Sequence, residues 1–169
     1  PATGDLMRRG GPALALGGAI ALALVGTALL SLLWTPEPPT RVRIPLRLRP
    51  PGEAGLLGTD NFGRDVLSML MAGAWNTLSI AVPAVAAGAA LGTAIGCGAA
   101  AIRGSFAERA VLRVSDVVFA FPAILSAIVL GAALGSGPVA GALAIALFNV
   151  PVFVRVSRAA ALGIWATDY

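Results

Sequence analysis

Residues with chemistry to offer are few and far apart in this chain. Ser126 and Ser157 could be nucleophiles, but the sequence holds no His and no Lys, so neither has a usual base to activate it. The same absences exclude a His metal site, a Schiff base and a Walker A phosphate loop, which needs a Lys. Cys97 stands alone inside an apolar run and reads as a small packing residue. No catalytic residue, metal or cofactor is therefore expected. The most polar stretch between two long apolar runs is Leu57-Gly58-Thr59-Asp60-Asn61-Phe62-Gly63-Arg64-Asp65-Val66-Leu67-Ser68. Gly58 and Gly63 permit backbone angles that a side chain forbids. Thr59, Asp60 or Asn61 can each cap a helix. Arg64 and Asp65 then open a helix carrying Val66, Leu67, Met69, Leu70 and Met71. Spacing alone reads as a capped amphipathic helix lying on a membrane surface.

The elements that must position this stretch are apolar. The chain has 169 residues, 57% hydrophobic and 12% charged, with a mean hydropathy of +0.87. A soluble domain needs a polar surface that this composition cannot supply. All twelve basic residues are Arg, and the net charge is +4. They are spread between hydrophobic segments without an aromatic stacking surface, which argues against nucleic acid as a partner.

The expected fold is all-α, a polytopic membrane protein with about four transmembrane helices. Residues 1–12 form a polar N-terminal tail with Arg8 and Arg9. Residues 13–34 form the first span, with Trp34 at its interface end; at about 22 residues it exceeds a signal-peptide core. Residues 35–76 combine a Pro/Arg-rich segment with the short interfacial helix. Pro36, Pro38, Pro39, Pro45, Pro50 and Pro51 forbid helix in its first part. There Arg41, Arg43, Arg47 and Arg49 alternate with Val42, Ile44, Leu46 and Leu48, the period of an extended strip. Such a strip suits a partner protein, lipid headgroups or a solvated linker.

Residues 77–101 form the second span, with Pro83 expected to kink its first turns. Gly88, Gly92 and Gly96, extended by Ala84 and Ala100, make one smooth ridge for helix packing. Residues 102–113 are a polar loop. The third span, 114–135, contains Asp116 near its start and Pro122 inside. Arg113, three residues from Asp116, is its expected partner. Both a structural ion pair and a coupling or pathway role fit Asp116. Gly135-Ser136-Gly137-Pro138 is a tight turn. The fourth span, 139–157, contains Asn149 and Pro151 and closes with Arg155 and Arg158. With the N-terminus inside, Arg8, Arg9, Arg103, Arg109, Arg113, Arg155 and Arg158 are cytoplasmic, and Arg41, Arg43, Arg47, Arg49 and Arg64 are outside. That is a modest positive-inside bias.

Three motifs carry a resemblance. Leu57-Gly58-Thr59-Asp60 with Gly63-Arg64-Asp65-Val66-Leu67-Ser68 resembles the signature ahead of the second helix in dipeptide/oligopeptide ABC transporter permeases. Arg113 and Asp116, continuing to Ala120-Phe121-Pro122, resemble that family's R-x-x-D…A-F-P pattern. Pro151, Arg155, Arg158-Ala159, Leu162 and Asp168-Tyr169 resemble the segment leading into its cytoplasmic coupling loop. The resemblance covers about residues 8–169 and is nearest to the C-type permease subunit. Gly55, Leu56, Met69, Ala72 and Trp75 depart from the family's usual residues. The E-A-A-x-x-x-G loop that docks on the ATPases is expected just beyond Tyr169, followed by about two more helices. Residues 77–169 thus resemble a fragment of the permease core.

The resemblance implies a bacterial plasma-membrane transport subunit that is not itself an enzyme. A second permease subunit would complete the pathway for di- or oligopeptides, or related small solutes. A substrate-binding protein would deliver to the outer face, two ATPase subunits would drive the cycle from inside, and membrane lipid would surround the helices. Gly58, Thr59, Asp60, Gly63, Arg64 and Asp65 would lie near the delivery face. Asp116, Pro122, Asn149 and Pro151 would border the pathway or the subunit seam. An ion-coupled secondary transporter and a non-transporting membrane scaffold are the alternatives. A membrane enzyme is disfavoured by the missing base.

Overall fold

A computed structural model of the chain describes residues 3–135 and 137–165. Five α-helices account for most of it: α1 (Thr3–Leu30), α2 (Val66–Ala101), α3 (Phe106–Ala120), α4 (Ala123–Leu134) and α5 (Pro138–Trp165). A short 3-10 turn, Ile44–Leu46, lies in the long connection between α1 and α2. No strand occurs among the described residues. The fold of the described residues is all-α, as the lengths of the apolar runs predict.

Among the described residues, three helices are long and apolar enough to cross a membrane. They are Ala13–Leu30 within α1, α2 and α5, with window hydropathies of 2.2, 1.9 and 2.0. Helices α3 and α4 qualify only as a broken pair, bent by 88°. Large apolar side chains point outward all along these helices, for example Leu14 at 81% exposure and Val129 at 66%. That pattern suits helices whose solvent is hydrocarbon.

The helix boundaries differ from the sequence expectation in two places. The interfacial helix and the second span, divided at residue 77 in the sequence, are one continuous helix of 36 residues. At 1.5 Å per residue it runs about 54 Å, well beyond a hydrocarbon core of about 30 Å. Pro83 sits inside it without ending it, as membrane helices tolerate. The third span, expected as one run over 114–135, is instead two helices. Pro122 forces Phe121 into extended backbone (φ −86°, ψ 131°), and α3 stops there. The turn expected at 135–138 includes Ser136, which lies outside the described residues. Gly135 ends α4 with φ 90°, and Pro138 opens α5, where its missing N–H costs nothing.

The chain divides into two compact units, Pro1–Leu78 and Ser79–Tyr169. In the first unit, the connection after α1 folds back on the start of α2. In the second, α5 packs against α3 and α4 and meets the α2 glycines on another side.

Candidate functional site

The polar motif of residues 58–68 ties the α1–α2 connection into a knot. Thr59 is its centre and is buried. Its hydroxyl donates to the Leu46 carbonyl and accepts from the Arg49 N–H at 3.0 Å. Its own N–H donates to the Arg49 carbonyl at 3.1 Å. One threonine thus pins the Pro/Arg-rich segment, which forms no strand. The segment turns through Ile44–Leu46 instead, and Leu48 takes the left-handed conformation (φ 53°).

Asp60 organises the next turn. Its Oδ1 accepts from the Phe62 and Arg64 N–H groups at 2.9 and 2.8 Å, and its Oδ2 accepts from Arg64 Nε at 2.8 Å. Partial burial pushes the Asp60 carboxyl pKa up, but the Arg64 N–H, the Arg64 guanidinium and the Phe62 N–H outweigh it and hold it below the ordinary value. Arg64 also lies over the Phe62 ring at 5.1 Å. Gly58 and Gly63 have φ of 77° and 73°. A Cβ on Gly63 would overlap the Arg43 carbonyl, and one on Gly58 would overlap the Arg49 carbonyl. Both positions therefore demand glycine twice over, by backbone angle and by close approach.

Asp65 caps α2. It stands just before Val66, and its Oδ2 accepts from the Ser68 N–H at 2.8 Å and the Ser68 hydroxyl at 2.6 Å. The cap was expected from Thr59, Asp60 or Asn61, which lie too far upstream of Val66 to reach the first turn. Ser68 Oγ in turn accepts from the Glu37 N–H at 3.0 Å. Glu37 pairs with Arg43 at 3.2 Å and Arg41 at 3.3 Å. Asp65 and Ser68 are 2% and 0% exposed, so they offer nothing to a passing solute. Their chemistry is internal: they lock the segment after α1 to the start of α2.

A charged seam joins α3 to α5. Asp116 pairs with Arg155 at 2.6 Å, and Arg155 also covers the Phe119 ring at 4.5 Å. Arg113, the partner expected from spacing, points elsewhere and is exposed. One turn further along α5, Arg158 Nε donates to Glu108 Oε1 at 2.8 Å. The Gly104 N–H donates to Glu108 Oε2 at 2.6 Å. Ser105 caps α3 by accepting from the Glu108 N–H at 3.1 Å. The pairing of Glu108 with Arg158 is not announced by spacing, since the two come from different helices. For Glu108 itself a signal was present, since Ser105-x-x-Glu108 has the form of a capping box.

Gly88, Gly92 and Gly96 face α5. A Cβ on Gly88 would come within 2.7 Å of Asn149 Cβ, and one on Gly92 within 2.5 Å of the Val150 carbonyl oxygen. Ala84 and Ala100 are buried on the same ridge. Pro151 is buried inside α5. Asn149 donates from Nδ2 to the Ile145 carbonyl at 2.8 Å, and it borders a cavity of about 340 Å³ with Ala123, Ala127 and Phe148. Pro122 caps α4 at the bend. The structure thus brings Asn149 beside Gly88 in the helix packing, and it keeps Asp116 apart, on the α3 seam.

The comparisons with known proteins fit this architecture. Residues 92–169 match the family described as binding-protein-dependent transport system inner membrane component. A peptide transport system permease protein of Brucella suis is 37% identical over 97% of this chain and 54% of its own length. A glutathione transport system permease protein of Pectobacterium atrosepticum is 38% identical over 64% of this chain and 36% of its own length. Its counterpart in Escherichia coli is 43% identical over 60% of this chain and 33% of its own length. The chain spans about half the length of the first of these relatives. By motif order, helix composition and these similarities, residues 92–169 carry the pattern of the binding-protein-dependent transport system inner membrane components, and the chain along 97% of its length is similar to a peptide transport permease.

Proposed function

We propose that this chain is part of the membrane-spanning subunit of an ATP-driven importer of di- or oligopeptides or related small solutes. The observation that carries the reading is the 37% identity to a peptide permease along 97% of the chain. It covers the knot as well as the helices. The subunit pairs with a second permease subunit to enclose the pathway, receives substrate from a binding protein and is driven by two ATPase subunits that hydrolyse ATP. It sits in the bacterial inner membrane with its N-terminus in the cytoplasm.

In this reading the knot lies outside, where its many internal hydrogen bonds keep a rigid face for delivery. Gly58, Thr59, Asp60, Gly63, Arg64 and Asp65 build that face without touching substrate. The Gly88–Gly96 ridge is the surface along which α5 moves against α2, because small residues leave no knobs to lock it. Asp116 and Glu108 hold α3 to α5 so that the two move together. Pro122 supplies the bend between α3 and α4, Pro151 stays inside the continuous α5, and Asn149 borders the moving seam. An ion-coupled carrier needs a carboxylate free to load and release a proton. Asp116 is engaged by Arg155 at 2.6 Å, which disfavours that alternative.

Co-purification tests the assembly. The full-length protein, expressed with its neighbouring subunits, is expected to bring down an ATPase in stoichiometric amount; its consistent absence contradicts the reading. A periplasmic reporter fused at Ser105 is expected to be silent, and an active one reverses the orientation.

A further inference from the structure

We infer that α3 is an interfacial helix that binds anionic phospholipid headgroups through Arg109 and Arg113. The first ground is direction. Helix α4 packs on α5, and Leu130 shares a cavity wall with Leu143 and Leu147 of α5. Helix α5 is long and apolar enough to span, with a hydropathy of 2.0. Helix α3 turns 88° away from α4 and so runs across the span direction. The salt bridges agree. Glu108 and Asp116 lie about 12 Å apart along α3, while their partners Arg158 and Arg155 lie about 4.5 Å apart along α5. Two helices lying side by side along a common axis would match those intervals.

The second ground is depth. Arg155 lies about 26 Å along α5 from Pro138, close to the full thickness of a hydrocarbon core of about 30 Å. The α3 seam is therefore at one membrane surface. There an in-plane helix meets headgroups.

The third ground is the face that α3 leaves uncovered. Its buried side carries Glu108 and Ser115. At 100° per residue the opposite side carries Phe106, Val114 and Val117, which are 80%, 64% and 57% exposed. Arg109 and Arg113 line the edge of that apolar stripe, both exposed, and neither forms an ion pair among the described residues, where α3's acids are taken by Arg155 and Arg158. An apolar stripe flanked by free guanidinium groups complements acyl chains beneath and phosphates beside it. A water-exposed helix would have no use for the stripe, and a hydrocarbon-embedded one could not keep two unpaired arginines.

Two measurements in nanodiscs test this, on the full-length protein in a background freed of Cys97 and any other cysteine. Nitroxide labels at Ala110, Val114 and Val117 report immersion depth. Depths equal within a few ångströms, just below the phosphate plane, are expected. A difference of about 10 Å between 110 and 117 means an upright helix and overturns the proposal. Labels in water but shielded by co-assembled ATPase assign the face to protein and also overturn it. The second measurement compares retained phosphatidylglycerol with phosphatidylcholine. The R109Q/R113Q variant is expected to lose about 30-fold in preference for the anionic lipid, from two surface arginines. An unchanged preference overturns the headgroup assignment.

Discussion

Asp116 on α3 is bound to Arg155 on α5 at 2.6 Å, not to Arg113 one turn away on its own helix. The acid therefore ties two segments that the sequence separates by a turn and a whole helix. Both side chains remain about half exposed, so the pair is worth less than a buried one. Substituting Arg113 by Gln is expected to change thermal stability in detergent by less than about 0.5 kcal/mol. Arg155→Gln is expected to lower it measurably, and the D116R/R155D exchange to recover part of that loss. Equal effects of R113Q and R155Q would remove the seam from the account.

The glycine ridge gives a second test. Gly92→Leu places a side chain where the Val150 carbonyl and Phe153 already stand, whereas Ala90 is exposed. Gly92→Leu should cost about 1–3 kcal/mol from overpacking, and Ala90→Leu close to nothing. Melting of the purified variants in detergent reads the difference. Equal melting points would mean that α2 does not pack on α5 through this ridge.

The knot can be opened at Thr59. Thr59→Val keeps the shape but leaves the Leu46 carbonyl and the Arg49 N–H without their side-chain partner. A loss of about 1–3 kcal/mol is expected. Hydrogen exchange should rise over residues 41–65 and stay unchanged over 106–120. Faster exchange in both regions would contradict a local knot.

Acid should loosen the same knot. The folded pKa of Asp60 lies below its ordinary value of 3.8. Its stabilising contribution is then fully present above that ordinary value and is lost as pH falls through the lower, folded pKa. Protection at Phe62 and Arg64, taken relative to the intrinsic exchange rate at each pH, should therefore be flat from neutral pH down to about 4 and fall below it. Asp60→Asn should abolish that acid limb. A limb that persists in Asp60→Asn would assign it to another group.

Much of this was legible in the sequence, and the parts that were not have physical reasons. The spans announce themselves by apolar length, and the glycine ridge by its four-residue spacing. The break between α3 and α4 was visible as Pro122, but a proline in a membrane run can bend a helix or merely sit in it, as Pro83 and Pro151 do. Only packing decides. The partner of Asp116 was out of reach because spacing finds neighbours on one helix, and Arg155 arrives from another. The turn at 44–46 was out of reach for a similar reason. Alternating Arg and apolar residues at 41–49 suggest a strip, yet hydrogen bonds from Thr59 and Asp60 bend that segment into a turn.

Coupling to ATP separates an ATP-driven importer from an ion-coupled carrier. The full-length protein would be reconstituted in proteoliposomes with its second permease subunit, ATPase subunits and binding protein. Uptake of a radiolabelled dipeptide would then be followed with and without ATP and with an uncoupler. Uptake is expected to require ATP and the binding protein and to survive the uncoupler. Uptake that ignores ATP and collapses with the uncoupler would contradict an ATP-driven importer.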